Sequence, residues 1–325
     1  MLRRTRVRGR RGGPTRQATG IDLQIWVGAE MADQAESLRD IATGGRHTRR
    51  PHTPGSSGGA PRIIAVTSGK GGVGKTSLVL NVSIALAASG ARVVVLDADL
   101  GLGNIDVMLG IIPRYTLAHV AAGEVGLADV VVSGPGGIKI VPCGSGVASL
   151  LRLPEAERAA LVAALGSIER EAEFIIVDTG AGLSPGVVGF LAAAQEVIVI
   201  TTPEPTALAD AYATVKVVSY ENPAAPVMLV VNMAKDLGEA QDAAEKITLV
   251  AKRFISVSLR LLGFVPRDPL VARAVMQQEP FVLRYPSCPA ARAVVEIAER
   301  LNGRIEQPTS SSRLTGFLER LALRP

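Results

Sequence analysis

Arg62-Ile-Ile-Ala-Val-Thr67, then Ser68-Gly69-Lys70-Gly71-Gly72-Val73-Gly74-Lys75-Thr76-Ser77, then Leu78-Val-Leu-Asn-Val-Ser-Ile-Ala-Leu-Ala-Ala-Ser-Gly90 is the stretch on which the fold turns. The first run is short, apolar and rich in β-branched residues, the pattern of a buried strand, and the third reads as a helix. Between them lies G-x-x-x-x-G-K-[ST], carried by Gly69, Gly74, Lys75 and Thr76, in the strand–loop–helix setting this motif needs. Glycines let backbone N–H groups turn inward around a phosphate chain, and the helix N-terminus adds a field that favours anions. The expected ATP-binding set is therefore Gly69, Gly71, Gly72, Val73, Gly74, Lys75, Thr76 and Ser77. Lys75 is expected to reach the β- and γ-phosphates and the Thr76 hydroxyl to bind Mg²⁺, so ATP and Mg²⁺ are the expected cofactors.

Further strand-like runs follow, and several end in a polar residue. Arg92-Val-Val-Val-Leu-Asp97 leads to Asp99, and Glu173-Phe-Ile-Ile-Val-Asp178 leads to Gly180. Glu196-Val-Ile-Val-Ile-Thr-Thr202, Val227-Met-Leu-Val-Val-Asn232 and Leu261-Leu-Gly-Phe-Val-Pro266 continue the series. Their alternation with helical stretches from Arg62 to about Arg304 predicts an α/β fold, a mostly parallel sheet with helices on both faces. Such sheets bind ligands beyond the C-terminal ends of their strands. Asp178 there is expected to hold Mg²⁺ through water, with the Gly180 N–H meeting a γ-phosphate. Asp97 and Asp99, two apart, share a side if the strand continues, and repel each other unless a cation or water intervenes. The Asn232 amide is a candidate for hydrogen bonding to adenine.

The 325 residues are 47% apolar and only 3% aromatic, which excludes a wholly disordered chain and predicts a core of Val, Ile, Leu and Ala. The net charge of +5 is unevenly placed: residues 1–60 hold eleven Arg, no Lys and five acids, a net of +6, so residues 61–325 carry −1. A near-neutral body argues against nucleic acid as a partner. No uncharged apolar run is long enough to cross a membrane, and residues 1–30 lack the apolar core of a secretion signal, so a cytoplasmic protein is expected. Cys143 and Cys288 lie far apart, which argues against disulfide, zinc and bridging iron–sulfur sites.

Composition divides the chain into five parts. Residues 1–30 read as a disordered Arg-rich leader, and the composition break at Met31 predicts that residue as the initiator. Residues 31–43 read as a short helix and 44–60 as a flexible Gly/Pro/Ser linker. Residues 61–306 form the nucleotide-binding domain. Residues 307–325 are a linker and an amphipathic helix with Leu314, Phe317, Leu318 and Leu321 on one face and Arg313, Arg320 and Arg324 flanking it. That pattern predicts a membrane-surface helix, with packing on the chain's own body as the alternative, or docking in a monomer and release in a dimer.

Lys70 makes the loop K-G-G-V-G-K-T, which resembles the deviant phosphate loop of the MinD/ParA ATPases. The resemblance covers Arg62 to Arg304. D-A-D-L-G-L-G-N-I-D, D-T-G-A-G and T-P-E-P-T…D-A-Y are similar to the flagellar number-regulator branch of that family (FlhG, also FleN or YlxH). Asp33, Gln34, Ala35, Leu38 and Arg39 match that branch's D-Q-A-x-x-L-R segment. The resemblance implies a homodimer closed over two ATPs, with Lys70 reaching nucleotide phosphates across the interface. It implies that Asp99 positions the attacking water, that Asp97 supports the Mg²⁺ shell, and that the loop at Pro266 and Asp268 closes over the base. It implies an activator segment, Asp33, Gln34, Leu38 and Arg39, that stimulates the FlhF GTPase, with Gln34 beside that enzyme's attacking water. Flagellar C-ring proteins, a flagellar transcriptional activator and the inner face of the cell membrane complete the implied partners. A ParA-type DNA-partition ATPase and a cell-division MinD are the alternatives; the first needs a basic body and the second has no use for Asp33–Arg39.

Overall fold

The computed structural model describes residues 60–99, 105–143, 164–303, 316, 317, 320 and 321. The chain divides into two units, Met1–Gly55 and Ser56–Pro325, and every described residue belongs to the second. The leader, the activator segment with Asp33, Gln34, Leu38 and Arg39, and nearly all of the linker lie outside the described residues. So do the side chains of Leu314 and Leu318.

Among the described residues, eight strands form one sheet in the order β3-β4-β2-β5-β1-β6-β7-β8. They are β1 (Arg62–Ser68), β2 (Val93–Ala98), β3 (Val132–Ser133), β4 (Lys139–Pro142), β5 (Phe174–Ala181), β6 (Glu196–Thr201), β7 (Val227–Ala234) and β8 (Arg260–Pro266). Only the β3–β4 pair is antiparallel. The longer helices are α1 (Lys75–Ala88), α2 (Pro185–Ala193), α3 (Pro205–Glu221), α4 (Leu237–Ile255), α5 (Pro269–Met276) and α6 (Pro289–Asn302).

Strand side chains alternate between faces, so each central strand feeds two cores. Ile63, Ala65, Leu96, Val177 and Val199 pack with α2, α3 and α4 on one face. Ile64, Val66, Val95, Ile176 and Ile198 pack with α1 and α6 on the other. Burial on both sides is why these strands read as unbroken apolar runs. At the base of β1, Arg62 ties the layers together: it makes a forked pair with Glu196 at 2.7 and 2.9 Å and donates to the Leu301 carbonyl. The opposite, C-terminal ends of β1, β2, β5, β6 and β7 line up to form the floor of the site.

Candidate nucleotide site

The β1–α1 connection is a tight glycine loop, with α1 starting at Lys75. Gly74 holds φ +83°, a left-handed conformation open to glycine, and a Cβ there would run into the Asn232 side chain. A Cβ at Gly69 would collide with the backbone carbonyl of Asp210, so α3 presses directly on the loop. These close approaches explain two of the glycines read from the sequence.

Lys75 and Thr76 are both buried in the first turn of α1. Lys75 Nζ contacts Asp178 Oδ1 and lies 3.4 Å from Thr76 Oγ1. Asp178 is fully buried, and its other oxygen has no hydrogen-bond partner. Burial raises the Asp178 pKa even against the pull of Lys75. The parallel register places Asp97 directly opposite Asp178. Burial, and then the Asp178 charge, push the Asp97 carboxyl up to about 7. Two weakly held carboxylates with an orphaned oxygen, beside a threonine hydroxyl, are a donor set suited to a hard divalent cation such as Mg²⁺. The sequence reading paired Asp97 with Asp99; the sheet pairs it with Asp178. Asp99 lies just past β2 and donates its N–H to Asp97 Oδ1 at 3.4 Å. A Cβ on Gly180 would lie 3.3 Å from Asp99 Oδ1. The water-positioning candidate and the candidate γ-phosphate sensor therefore meet.

Lys70 points the other way. Its ammonium pairs with Glu204 at 2.9 Å and lies 3.3 Å from Thr206 Oγ1. That hydrogen bond and the Lys70 charge, with a smaller effect of Arg267, lower the Glu204 pKa. Glu204 and Thr206 were missed as site residues, although both lie in the quoted T-P-E-P-T run.

On the base side, Asn232 Nδ2 donates to the Val73 carbonyl at 2.7 Å, so the amide group assigned to adenine is engaged by the phosphate loop. Pro266 ends β8. Asp268 caps two helices: its carboxylate accepts from Leu270 N–H at 2.9 Å and from Ala290 N–H at 3.3 Å. The Arg267 N–H bonds the Ala234 carbonyl at 2.8 Å, fastening this loop to the end of β7.

The C-terminal segment packs on the body. Phe317 and Leu321 are buried, and Phe317 stacks on Phe190 of α2 with ring centroids 6.2 Å apart. Arg320 donates to the Ala193 carbonyl at 2.8 and 3.3 Å. In this form two of the four apolar residues assigned to a lipid surface, Phe317 and Leu321, face protein. Among the described residues, no helix is long and apolar enough to cross a membrane.

The family model described as "ParA: NUBPL iron-transfer P-loop NTPase" matches residues 59–302. The chain is 39% identical to the antiactivator FleN of Pseudomonas aeruginosa, over 81% of this chain and 94% of that protein. It is 31% identical to the flagellum site-determining protein YlxH of Helicobacter pylori, over 85% of this chain and 92% of that one. Among solved structures it resembles the septum site-determining protein MinD of Pyrococcus horikoshii complexed with Mg-ADP. The TM-score there is 0.60 at 25% identity, covering 74% of this chain and 96% of that one.

Proposed function

The chain belongs to the ParA/MinD family of P-loop NTPases, in its FleN/YlxH branch, and from that membership we propose that it is an ATP-hydrolysing switch that controls flagellar number and placement. The observation that carries the reading is the convergence of Lys75, Thr76, Asp97, Asp99 and Asp178 at the strand ends beneath one glycine loop. In this reading Gly69, Gly71, Gly72, Val73, Gly74 and Ser77 wrap the ATP phosphates, and Lys75 leaves Asp178 to meet them. Thr76, Asp97 and Asp178 hold Mg²⁺, which when bound neutralises phosphate charge. Asp99 orients the attacking water, and the Gly180 N–H senses the γ-phosphate. Asn232, Pro266 and Asp268 border the base.

ATP closes two copies face to face, and Lys70 exchanges Glu204 for phosphate. The C-terminal helix leaves its seat beside α2 and binds the inner face of the cell membrane, where two copies gain avidity over one. Residues 31–43 stimulate an FlhF-type GTPase through Gln34, whose neutral amide orients water without taking its proton. That the relative FleN is an antiactivator supports a flagellar transcriptional activator as a further partner, and C-ring proteins complete the set.

The test uses the full chain with no nucleotide, with ADP, and with a slowly hydrolysed ATP analogue, followed by sedimentation. A dimer is expected with the analogue only, and a chain that stays monomeric throughout overturns the switch. Gln34→Ala is expected to abolish GTPase stimulation while ATP turnover is unchanged. Full stimulation by that variant removes the activator assignment.

A further inference from the structure

The end of β7 grips the phosphate loop at Val73 and Gly74, further along it than the α3 contact at Gly69. Asn232 is buried, and its amide bonds the Val73 carbonyl at 2.7 Å. The same amide fills the space that a Cβ on Gly74 would occupy, and Met233 Cε lies 3.5 Å from that point. Met233 itself sits at φ +58°, in the left-handed region that side-chain-bearing residues rarely enter. The β7–β8 register slips between Asn232 and Ala234, and the Ala234 carbonyl is held by the Arg267 N–H. A backbone conformation of this kind persists only where its surroundings enforce it, and such conformations cluster at working sites.

We propose that Asn232 and Met233 form a positioning elbow for the phosphate loop, so that the cradle is already shaped before nucleotide arrives. The physical need is plain. A loop of four glycines has many conformations to lose on binding, and a brace in place beforehand lowers that cost. A Val73 carbonyl turned toward the phosphates would place a partial negative charge against their oxygens; the Asn232 amide holds it away. Because the Ala234 carbonyl anchors Arg267, the elbow also links the base-side loop to the phosphate side. The purpose of the elbow rests on the ATP-binding reading above, but the brace itself exists without nucleotide and is tested without it.

Hydrogen exchange on the nucleotide-free full chain reads the brace directly, in peptides covering residues 69–80. Asn232→Asp replaces the donor by an acceptor at nearly constant shape. Exchange of the loop and first turn is expected to accelerate roughly tenfold, the effect of losing one buried hydrogen bond, while peptides of β5 and β6 keep their rates. Unchanged loop exchange overturns the proposal. If Asn232→Asp loosens the whole sheet, Met233 decides the matter. Met233→Gly accepts the left-handed turn and is expected to leave the loop protected, whereas Met233→Val cannot adopt it and is expected to loosen the loop alone. The same response from both Met233 variants overturns the elbow. Titration with ADP and GDP then separates roles: an equal fold loss for both in Asn232→Asp supports the brace, and a loss confined to ADP with normal exchange leaves only a base reader. A wild-type chain that binds neither nucleotide defeats the ATP-binding reading and leaves the exchange result standing.

Discussion

Asp97 and Asp178 face each other across the β2–β5 ladder, both buried, and Lys75 pairs with Asp178. Such a pair is held by the fold at a cost when no cation is bound. The cost has a pH signature. Asp97 titrates near 7 in the folded chain against an ordinary value of 3.8, so between those values the unfolded chain has already released a proton that the folded chain retains. Stability of the nucleotide-free protein therefore falls as pH rises from about 4 to 7, by up to a few kcal/mol from this one group. Asp178 is raised too and adds to the same slope. Asp97→Asn removes the Asp97 contribution, so its melting temperature is expected to exceed that of the wild type at pH 7 and to converge with it near pH 4. Parallel melting curves for the two proteins across that range would show that Asp97 is not the strained group. The acids at the strand ends were legible in the sequence because each closes an apolar run. Their pairing was not, since spacing along one strand shows Asp97 beside Asp99 and only the sheet register brings Asp178 opposite.

Among the elements, α2 and the C-terminal segment are joined by a close contact between Gly189 and Leu321. A Cβ on Gly189 would already lie 3.0 Å from Leu321 Cδ1. A leucine there fills the seat of Leu321, while the face of Phe317 and Leu321 itself stays intact for any other partner. Gly189→Leu is expected to free the helix, so that the chain sediments with anionic vesicles without ATP, whereas the wild type needs it. Vesicle binding by Gly189→Leu that still requires ATP would mean that undocking is not what gates the membrane. The two faces of the sheet and α1 could be read from the sequence, because double-sided burial leaves long apolar runs and the glycine motif marks the turn between β1 and α1. The docked face could not, because Phe317 and Leu321 form the same amphipathic stripe whether lipid or protein covers it. The two-residue strand β3 and the short helical turns Ile105–Leu109, Leu117–Ala121 and Leu127–Val130 are also too brief to show a period. Asp268 is a related case: the family resemblance implied a loop over the base, and its carboxylate serves as a cap for α5 and the start of α6.

At the scale of the whole molecule, the proposed dimer requires that one bound nucleotide recruit a second copy to the same site. The glycine loop is touched by α3, whose Asp210 backbone abuts Gly69, and by the end of β7 at Asn232. Lys70 leaves that loop on the α3 side and is held at Glu204 by a pair exposed by 42% and 62% at its two side chains. Pairs so open to water contribute little to stability, so a multiply charged phosphate chain brought up by another subunit can displace Glu204 at small cost. Asp99, in contrast, stays with Gly180 at the floor of its own site. The two residues should therefore fail in opposite directions. Lys70→Ala keeps the loop that binds nucleotide and loses the cation offered to the neighbour, so ADP affinity is expected to hold while the ATP-dependent dimer disappears. Asp99→Ala keeps the cation and loses the group proposed to orient water, so dimers should form normally and then outlive wild-type dimers on the order of a hundredfold or more. Mass photometry after a pulse of ATP measures both. Equal dimer lifetimes for Asp99→Ala and wild type would remove Asp99 from hydrolysis, and a stable Lys70→Ala dimer would confine Lys70 to its own subunit.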